Sequence, residues 1–582
     1  MGALILTIGG FIAKIIGAFY KIPLTNALGS AGMGLYYLVF PLYSLLLVFS
    51  SSGVSIAVSK LVSESRANKL KRNETTYFKA GLLLSFLSSL IFSCVLIFFN
   101  RQIAFFQGNI LASKGYLAIA PALISASLIS VVKGYFQGVE NMFPSSVALI
   151  FEQIFKLIVG LFLAYKFLNK GIEYAVMGSI LAVSISEMVT LIIMLVNYIF
   201  HKIHNDYKFY TKDEETLKLK EIKIVSKVVR VGKYKICKIK KIKRRPVIVF
   251  NVNNKRKFVK IKVLYFNSSN KNITFNTAIK NTLKILVPTT LSSLVIPIMT
   301  LIDSFLVINI LVKSGMPLYT ATSLYGLSNG VVSALVALPV IITSALATSM
   351  MPNLSGLYSV GRIKDTTNRS EFYIKITFVL VLPMFMFFVM FSPDIIATLY
   401  KFKTNAVFNE FTYAYKLLIV ASVGIIYNAF LSTLVSIMQV IGKSFKVFFI
   451  MLVAMFVRVG VTVLLLKTAQ INIFGIIIGN VLFYLICDIV CIIQIKKTLD
   501  ISFDVKKSFV VPIISVLVSA IICFGTKTLL VGINKWLYIG INGVVCIVVY
   551  LLMLKLLKCF TPYEKRHFPF QKKSITKNTK SV

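Results

Sequence analysis

Acidic residues are scarce in this sequence, and the motifs of several enzyme classes are missing from it. Only 20 of its 582 residues are Asp or Glu, against 64 Lys and Arg, and charged residues make up 14% of the chain. The chain contains no GxxxxGK[ST] pattern of a nucleotide-binding P-loop, no HExxH pattern and no nucleophile elbow. We therefore do not expect this chain to hydrolyse nucleotides or to be a metal-dependent or serine hydrolase.

Cysteine is also sparse and unpaired in sequence. The chain has seven cysteines, most of them within apolar runs, and none is arranged as CxxC. Disulfide frameworks and zinc sites both need thiols at characteristic spacings. We expect plain thiols in an apolar core, with no bound metal and no redox cofactor.

Long apolar runs dominate what is present. The composition is 57% hydrophobic with a mean hydropathy of +0.83, and runs of about 20 residues, enough to cross a bilayer, recur throughout. The pattern predicts an all-α polytopic membrane protein with about 14 transmembrane helices. The predicted spans are roughly 3–24, 34–57, 80–100, 116–138, 146–168, 174–200, 284–309, 321–347, 373–391, 412–436, 447–466, 474–495, 510–531 and 536–557.

The basic residues lie mainly in alternate loops. A net charge of +44 would suggest nucleic acid in a soluble protein, but here the charge clusters on one side of the predicted spans. Cytoplasmic loops carry the excess of Lys and Arg in membrane proteins. The pattern therefore predicts a multi-pass protein of the cytoplasmic membrane with both termini in the cytoplasm, and no nucleic acid partner.

Two halves of the chain are similarly spaced. Lys14 and Tyr36 are as far apart as Asp303 and Tyr325, and AVS at 57–59 falls near ATS at 347–349 in this alignment. This spacing predicts two six-helix lobes in pseudo-twofold repeat plus two C-terminal helices. The expected domains are an N-lobe (1–200), an inter-lobe loop (201–281), a C-lobe (282–495), two added helices (496–557) and a basic tail (558–582).

The inter-lobe loop is polar and strongly basic. Within it, VIVFNVNNKRKFVKIKVLYF reads as two strands about an Asn-Asn turn, which predicts a small β-hairpin. Polybasic segments are attracted to anionic lipid headgroups by about 1 kcal/mol per charge. We interpret the loop as a cytoplasmic linker on the membrane surface, with an RNA or protein partner as the alternative.

The chain resembles a known family in four stretches. They are AKIIGAFYKIPLTNALGSAGMGLYYLVFPLYSLLLVFSSSGVSIAVSKLVSE near the start, GYFQGVENMFPSSVALIFEQIFKLIVG, VPTTLSSLVIPIMTLIDSFLV and ALATSMMPNLS. These resemble the stage V sporulation protein B branch of the oligosaccharide-lipid flippases. That branch is related to the lipid II flippase and, more distantly, to multidrug and toxin extrusion transporters. The resemblance covers nearly the whole chain except the basic loop, which the family does not require.

Lys14 and Lys21 are the predicted substrate-binding residues. A cation at membrane depth costs roughly 2.5 to 3.5 kcal/mol and normally faces a bundle interior or a watery cavity. Lys14 therefore either lines a central cavity or forms an ion pair with another helix, and Lys21 either contacts substrate or anchors the helix at the interface. The resemblance implies that a cation in this part of the first helix meets the substrate diphosphate.

Asp303 is the predicted ion-coupling residue. A buried carboxylate can bind a cation or take up a proton, and the resembling flippases are thought to use an Asp on the seventh helix in this way. The alternative is a salt bridge across the lobes, in which Lys14 is the nearest partner by repeat position. No cofactor is expected beyond a coupling cation, either sodium or a proton.

The remaining ionisable residues within spans are expected to form charge pairs. Glu152 and Lys156 are four residues apart and can meet on one helix face. Glu187, Arg458 and Asp488 are weaker candidates of the same kind as Asp303, and Arg458 and Asp488 can pair within the second half.

These observations predict a transporter rather than an enzyme. The expected function is alternating-access flipping or export of a lipid-linked oligosaccharide or peptidoglycan precursor, with a role in the spore cortex or the cell envelope implied by the resemblance. The alternative is a cation-coupled multidrug exporter of related fold, which should carry acidic residues in place of Lys14. A polytopic glycosyltransferase is the third reading, and Asp394 is the one acidic residue that would suit it.

Overall fold

The structure is a computed structural model, and it describes most of the chain. The described residues are 2–68, 70–222, 230–231, 234–236, 240–242, 245–252, 255–259, 273–402, 409–502, 504–530, 532–561 and 564.

The first lobe is a bundle of seven helices, α1 to α7, five of which are long. Proline is tolerated in two of them, at Pro23 and Pro41 of α1 and at Pro121 of α5. A π-helical segment, Val48–Ser52, links α1 to α2, and a short 3-10 turn, Ile110–Ala112, precedes α5. The helices are α1 (Gly2–Leu47), α2 (Gly53–Ala67), α3 (Lys71–Phe98), α4 (Asn100–Phe106), α5 (Ser113–Gly138), α6 (Phe143–Leu168) and α7 (Ile172–Ile222).

Five short strands follow α7 in the basic inter-lobe loop. They are β1 (Arg230–Val231), β2 (Tyr234–Ile236), β3 (Lys240–Ile242), β4 (Arg245–Val252) and β5 (Lys255–Val259), and all their pairings are antiparallel. Strands β4 and β5 form a hairpin in which Val252 lies opposite Lys255. This is the hairpin that the Asn-Asn pattern predicts. The pattern's later residues, 260–266, lie outside the described residues.

Ten further helices, α8 to α17, complete the chain. A π-helical segment, Leu327–Val332, joins α10 to α11, and another, Lys506–Val510, precedes α16. The helices are α8 (Phe275–Ser293), α9 (Val295–Lys313), α10 (Leu318–Gly326), α11 (Ser333–Ser359), α12 (Ile363–Leu399), α13 (Glu410–Val440), α14 (Ser444–Lys467), α15 (Phe474–Leu499), α16 (Val511–Leu529) and α17 (Lys535–Leu556). We call α9 to α15 the second lobe, and α16 and α17 pack as a hairpin against α12.

The spans number fourteen in the described part of the chain. Thirteen stretches are long and apolar enough to cross a membrane, and the first, Ile8–Ala67, is 60 residues long. A straight helix of that length would be about 90 Å, three times the hydrocarbon thickness. The observed helix α1 instead breaks at Gly29, whose φ of 69° lies in the left-handed region that glycine adopts without strain. The prediction of a polytopic helical protein with about 14 spans is therefore confirmed.

The two lobes pack their helices in the same order. The contacts of α3 with α5, of α5 with α7 and of α6 with α7 in the first lobe recur as α12 with α13, α13 with α15 and α14 with α15 in the second. The contact of α1 with α6 likewise recurs as α9 with α14. This correspondence confirms the predicted six-helix repeat, while the domain boundaries drawn from the sequence remain a prediction.

The seventh span is divided between the lobes, which the sequence did not predict. It was expected as one helix over 284–309, but it breaks at Leu294 into α8 and α9. Helix α8 packs against α2 and α3 of the first lobe, whereas α9 packs against α14 and α10 of the second and against α1. Asn281 Nδ2 donates to the Tyr77 hydroxyl at 3.2 Å, which fixes α8 to α3. The two halves of this span therefore pack against different lobes.

The lobes meet tightly at the end of the bundle where the α9–α10 turn lies, which we call the sealed end. There α1 crosses α10 with glycines in contact: a Cβ on Gly34 would collide with the Thr322 carbonyl, and one on Gly326 with the Ser30 carbonyl. The Ser30 hydroxyl also donates to Glu410 of α13 at 2.5 Å. The opposite end, which carries the inter-lobe loop, is called the basic end.

Gly34→Ala tests whether this crossing holds the sealed end together. We expect it to destabilise the sealed form by roughly 1–3 kcal/mol, because backbone atoms cannot move aside for the added methyl group. The matched control is Gly356→Ala in α11, where a Cβ meets nothing within 4 Å. The control should gain up to about 1 kcal/mol of helix propensity.

The measurement is the apparent melting temperature of the purified protein in detergent, together with thiol labelling of a cysteine placed at Ser314 in the sealed-end turn. A Gly34→Ala protein that melts like the control and labels at the wild-type rate would show that this contact does not seal the bundle.

Candidate functional site

A cavity of about 460 Å³, lined by both polar and apolar residues, lies between the lobes. Its wall is built mostly from the second lobe, where α11 and the π segment before it, α13 and α15 converge, and α1 contributes from the first lobe. Because π segments widen a helix by one residue, the segment Leu327–Val332 turns Ser328 and Asn329 toward the space. The polar lining residues are Lys14, Ser328, Asn329, Ser333, Ser344, Asn428, Ser432, Asn480 and Tyr484.

Lys14 is the charged side chain among the described residues that line this cavity. No carboxylate of the described residues lies within 4 Å of its ammonium group, so the alternative expectation of an inter-helix ion pair is not met. Lys21, two turns further along α1, does not line the cavity; its Nζ lies 5.3 Å from the centre of the Tyr37 ring. The cavity is therefore electropositive, with its charge at one wall.

Asp303 is paired with a cationic side chain of the protein, Arg458, rather than left to bind a mobile cation. Its two carboxylate oxygens accept hydrogen bonds from the two terminal nitrogens of Arg458, whose side chain is fully buried. Arg458 also donates to Asn480 Oδ1 at 2.9 Å. The expectation that Asp303 binds the coupling ion is not supported by this geometry, and its predicted salt bridge to Lys14 is not formed. A bidentate guanidinium already supplies the countercharge.

The Asp303–Arg458–Asn480 cluster also shapes the cavity wall. It joins α9, α14 and α15, and because the Asn480 oxygen faces Arg458, its amide N–H groups are left for the cavity. Sequence reasoning missed Asn480, Asn428 and Asn329. The available signal was a set of asparagines within otherwise apolar spans, where a polar group needs a partner or a water-filled space.

The charges inside the first lobe form a separate group. The expected pair of Glu152 with Lys156 is not the one observed: Glu152 Oε2 lies 3.9 Å from Lys133 Nζ of α5, and Lys156 Nζ lies 5.5 Å from the centre of the Phe40 ring. Glu187 of α7 has Glu152, Lys133 and Lys156 as charged neighbours. Two acids and two bases thus lie together, because α5 and α7 bring neighbours that a single helix face cannot reveal.

Asp488 does not pair with Arg458, contrary to the sequence-based expectation. Arg458 contacts Asp303 and Asn480 instead, and Asn480 lies two turns before Asp488 on α15. Both Asp488 carboxyl oxygens are buried and have no hydrogen-bond partner among the described residues.

A second cavity of about 410 Å³ lies between α11, α12 and α17 and is almost wholly apolar. Its walls include Pro339 of α11, Phe387 of α12 and Ile547 of α17. Helix α11 therefore has the polar central cavity on one face and this apolar groove on another. Two cavities of different polarity therefore lie on opposite sides of α11.

Two family models match the chain. One described as "Lipid II flippase MurJ" matches residues 256–564, which is more than half of the chain, and one described as "Polysaccharide biosynthesis protein" matches residues 1–225.

Among curated proteins, stage V sporulation protein B of Bacillus subtilis (strain 168) is 25% identical over 61% of this chain. The match spans 57% of that relative's length, a little over half. Among solved structures, one titled as lipid II flippase MurJ in an inward closed conformation has a TM-score of 0.64 at 16% identity, covering 95% of this chain and 98% of its own. An inward-facing multidrug resistance transporter of the MATE family has a TM-score of 0.60 at 13% identity, covering 83% and 96%.

Arg458→Ala tests the buried cluster. Removal of the guanidinium leaves Asp303 buried and unpaired, which typically costs about 3–5 kcal/mol. The double variant Arg458→Met with Asp303→Leu should recover much of that loss, because neither charge then remains unmatched. The exposed pair of Arg362 and Asp365, with Nε to Oδ2 at 2.7 Å, supplies the control Arg362→Ala, which should cost less than about 1 kcal/mol.

Expression level and thermal melting in detergent measure these changes. If Arg458→Ala melts like Arg362→Ala, Asp303 is not held by this pair, and a mobile cation at Asp303 would again be the better explanation.

Proposed function

Because the chain belongs to the lipid II flippase family, we propose that it moves a lipid-linked oligosaccharide or peptidoglycan precursor, carried on a polyprenyl diphosphate, across the cytoplasmic membrane. The direction is from the cytoplasmic to the outer leaflet. The relative in Bacillus subtilis is named for sporulation, and on that basis we extend the proposal to spore cortex or envelope synthesis.

The electropositive central cavity carries this proposal. A diphosphate headgroup needs a cation and hydrogen-bond donors, and sugars need amide and hydroxyl partners. The cavity supplies Lys14 for the first and the Asn and Ser side chains of α11, α13 and α15 for the second. A lysine acts on phosphate as a point charge rather than as a bidentate fork, which suits a headgroup that must be released again. Lys21, beside Tyr37, is proposed as a second contact on the route outward.

We assign the lipid part of the substrate to the apolar groove. A polyprenyl chain cannot enter the polar cavity without losing its contact with the membrane interior. The groove between α11, α12 and α17 lies on the other side of α11 and presents Pro339, Phe387 and Ile547. We propose that the chain of the substrate stays in this groove while the headgroup crosses.

Alternating access follows from the repeat. Transporters built from two similar bundles bind substrate between them and move one bundle against the other. Here the lobes are locked at the sealed end, and the seventh span changes lobe at Leu294. By the distribution of basic residues we assign the sealed end to the outer face and the basic end, with both termini, to the cytoplasm. The basic loop then lies against anionic headgroups.

A cation-coupled multidrug exporter is the second candidate, favoured by the fold shared with the MATE family structure. Such an exporter binds cationic drugs and needs exposed carboxylates in its cavity. The acids of the first lobe, Glu152 and Glu187, do not line the central cavity, and Lys14 does. The charge of the site therefore favours an anionic substrate.

Lys14→Ala tests the proposed headgroup site. In vesicles containing purified protein and an undecaprenyl diphosphate-linked sugar, the flipping rate should fall roughly ten- to a hundredfold, because a hydrogen bond to a charged group is worth about 1.5–3 kcal/mol. Lys14→Arg, which keeps the charge, should retain a good part of the rate. Lys313→Ala, an exposed lysine at the end of α9, is the matched control.

Wild-type flipping by Lys14→Ala would remove Lys14 from the mechanism. The exporter function replaces the flippase function if two results are found together. Wild-type protein moves no lipid in vesicles, and cells that lack the protein become hypersensitive to cationic drugs while their lipid-linked precursors stay normal.

The side of the membrane on which the basic loop lies can be tested in a variant whose other native cysteines are replaced, so that Cys237 is its one native thiol. A membrane-impermeant thiol reagent added to intact cells should leave Cys237 unlabelled and should label a cysteine placed at Ser314 in the sealed-end turn. Deletion of residues 205–275 should leave most of the flipping activity, since the resembling family does not require this loop.

Rapid labelling of Cys237 would reverse the proposed topology, and total loss of activity in a deletion variant that still folds would give the loop an essential role.

A further inference from the structure

Asp488 is a buried carboxyl group that the proposed headgroup site does not use. It lies near the middle of α15 with 5% of its surface exposed, so it is enclosed by protein rather than by lipid. Both carboxyl oxygens lack a hydrogen-bond partner among the described residues. Each buried polar group without a partner in a native structure calls for an explanation.

The basic groups on the neighbouring helices are engaged elsewhere. Helices α12, α13 and α14 pack against α15. On α14, Arg458 is bound to Asp303 and Asn480; on α12, Lys375 Nζ is 2.9 Å from Glu564 of the C-terminal segment. Lys443, between α13 and α14, bonds to the Gln494 carbonyl at 3.3 Å and to Thr498, more than one turn beyond Asp488.

The remaining titratable groups on these helices supply no countercharge either. None of those on α13 bonds to the Asp488 carboxyl: Glu410, Tyr413, Tyr415, Lys416 and Tyr427. On α15 itself the nearest are the thiols of Cys487 and Cys491, both buried. In this arrangement an ionised Asp488 would be an isolated buried charge, which is so costly that such a group takes up a proton instead. The carboxyl is therefore stable here in its neutral, protonated form.

Asp488 also lies between two cavities on one helix face. Tyr484, one turn before it, lines the central cavity, and Ile492, one turn after it, lines a cavity of about 420 Å³ at the basic end. Residues four apart share a face of an α-helix. A rearrangement of α15 against α13 by one turn would bring the carboxyl into contact with water from either space.

We infer that Asp488 is a proton-binding site that takes up and releases one proton in each transport cycle. A proton from water that enters when the sealed end opens forms the O–H bond of a neutral carboxylic acid, which is the form that the sealed conformation encloses. Release of that proton to water of the basic-end cavity, when the lobes move, restores the carboxylate. No electrons are transferred. The inference rests on the proposed function only for the coupling to lipid movement; the proton site itself stands on the burial and isolation of Asp488.

The proton site is tested on full-length protein by infrared difference spectroscopy as pH is changed. A band of a protonated carboxyl group should be present at neutral pH, shift in frequency in D488E and vanish in D488N. The control E64Q removes an exposed carboxyl of α2 that lines neither cavity and should keep the band. If the band is absent from wild-type protein, or is unchanged in D488E and D488N, the inference is overturned. If D488N does not fold, the frequency shift in D488E alone decides the test.

Coupling is tested in vesicles with a pH difference that is acidic on the side of the sealed end. Wild-type and E64Q proteins should flip the lipid several-fold faster than without the gradient, whereas D488N should bind the lipid but flip at a rate independent of the gradient. A D488N protein that keeps the full response overturns the coupling. If wild-type protein flips nothing under any condition, the proposed function fails while the infrared result still decides whether Asp488 binds a proton.

Discussion

Inside a bilayer an ionised side chain without a partner is costly, and the positions of the charges in this protein follow from that constraint. In the second lobe, Asp303 is held by Arg458, which also fixes Asn480, so one cluster joins three helices. In the first lobe, two acids and two bases on α5, α6 and α7 lie together, and Glu152 and Lys133 form an ion pair. With these groups satisfied, Lys14 remains as the charge that faces the central cavity.

The repeat shows how the two lobes use one position differently. Lys14 and Asp303 occupy matching sites, and the helices that carry them pack against matching partners, α6 and α14. In the second lobe, Arg458 on α14 forms a salt bridge with Asp303 and so occupies this position. In the first lobe Gly17 brings α1 against Gln153 of α6, no carboxylate of the described residues is within reach, and Lys14 is left for the cavity. The same scaffold thus holds a buried salt bridge in one lobe and a cavity-lining lysine in the other.

Hydropathy predicts the number and positions of the spans well, because each must cover about 30 Å of hydrocarbon. It does not predict where a span bends. The break at Leu294 and the π segments depend on which neighbours each half meets, and the kink at Gly29 could be anticipated only from glycine's tolerance of positive φ. The ion pairs were the least predictable feature. Glu152 was assigned to Lys156 on its own helix, while its partner Lys133 comes from another helix that only the folded bundle brings near.

The location of Lys14 in the cavity was foreseen from the cost of its charge, whereas the role of Asp303 was not. The sequence shows that a carboxylate lies at membrane depth, but whether it meets a tethered guanidinium or a mobile ion depends on the register of α9 against α14. The asparagines of the cavity wall were visible in the sequence as polar residues within apolar spans. Only the convergence of three helices shows that they face a common space.

The central claim is that the headgroup of a lipid diphosphate occupies the cavity beside Lys14. The most direct measurement is site-specific photo-crosslinking with a light-activated amino acid at Ser333, which lines the cavity, and at Val453, which is 58% exposed on the outer face of α14. With a labelled undecaprenyl diphosphate-linked sugar in the membrane, we expect crosslinks from position 333 that unlabelled lipid competes away, and only non-competed background from position 453. Equal, non-competed labelling at both positions, or none at position 333, would contradict the account.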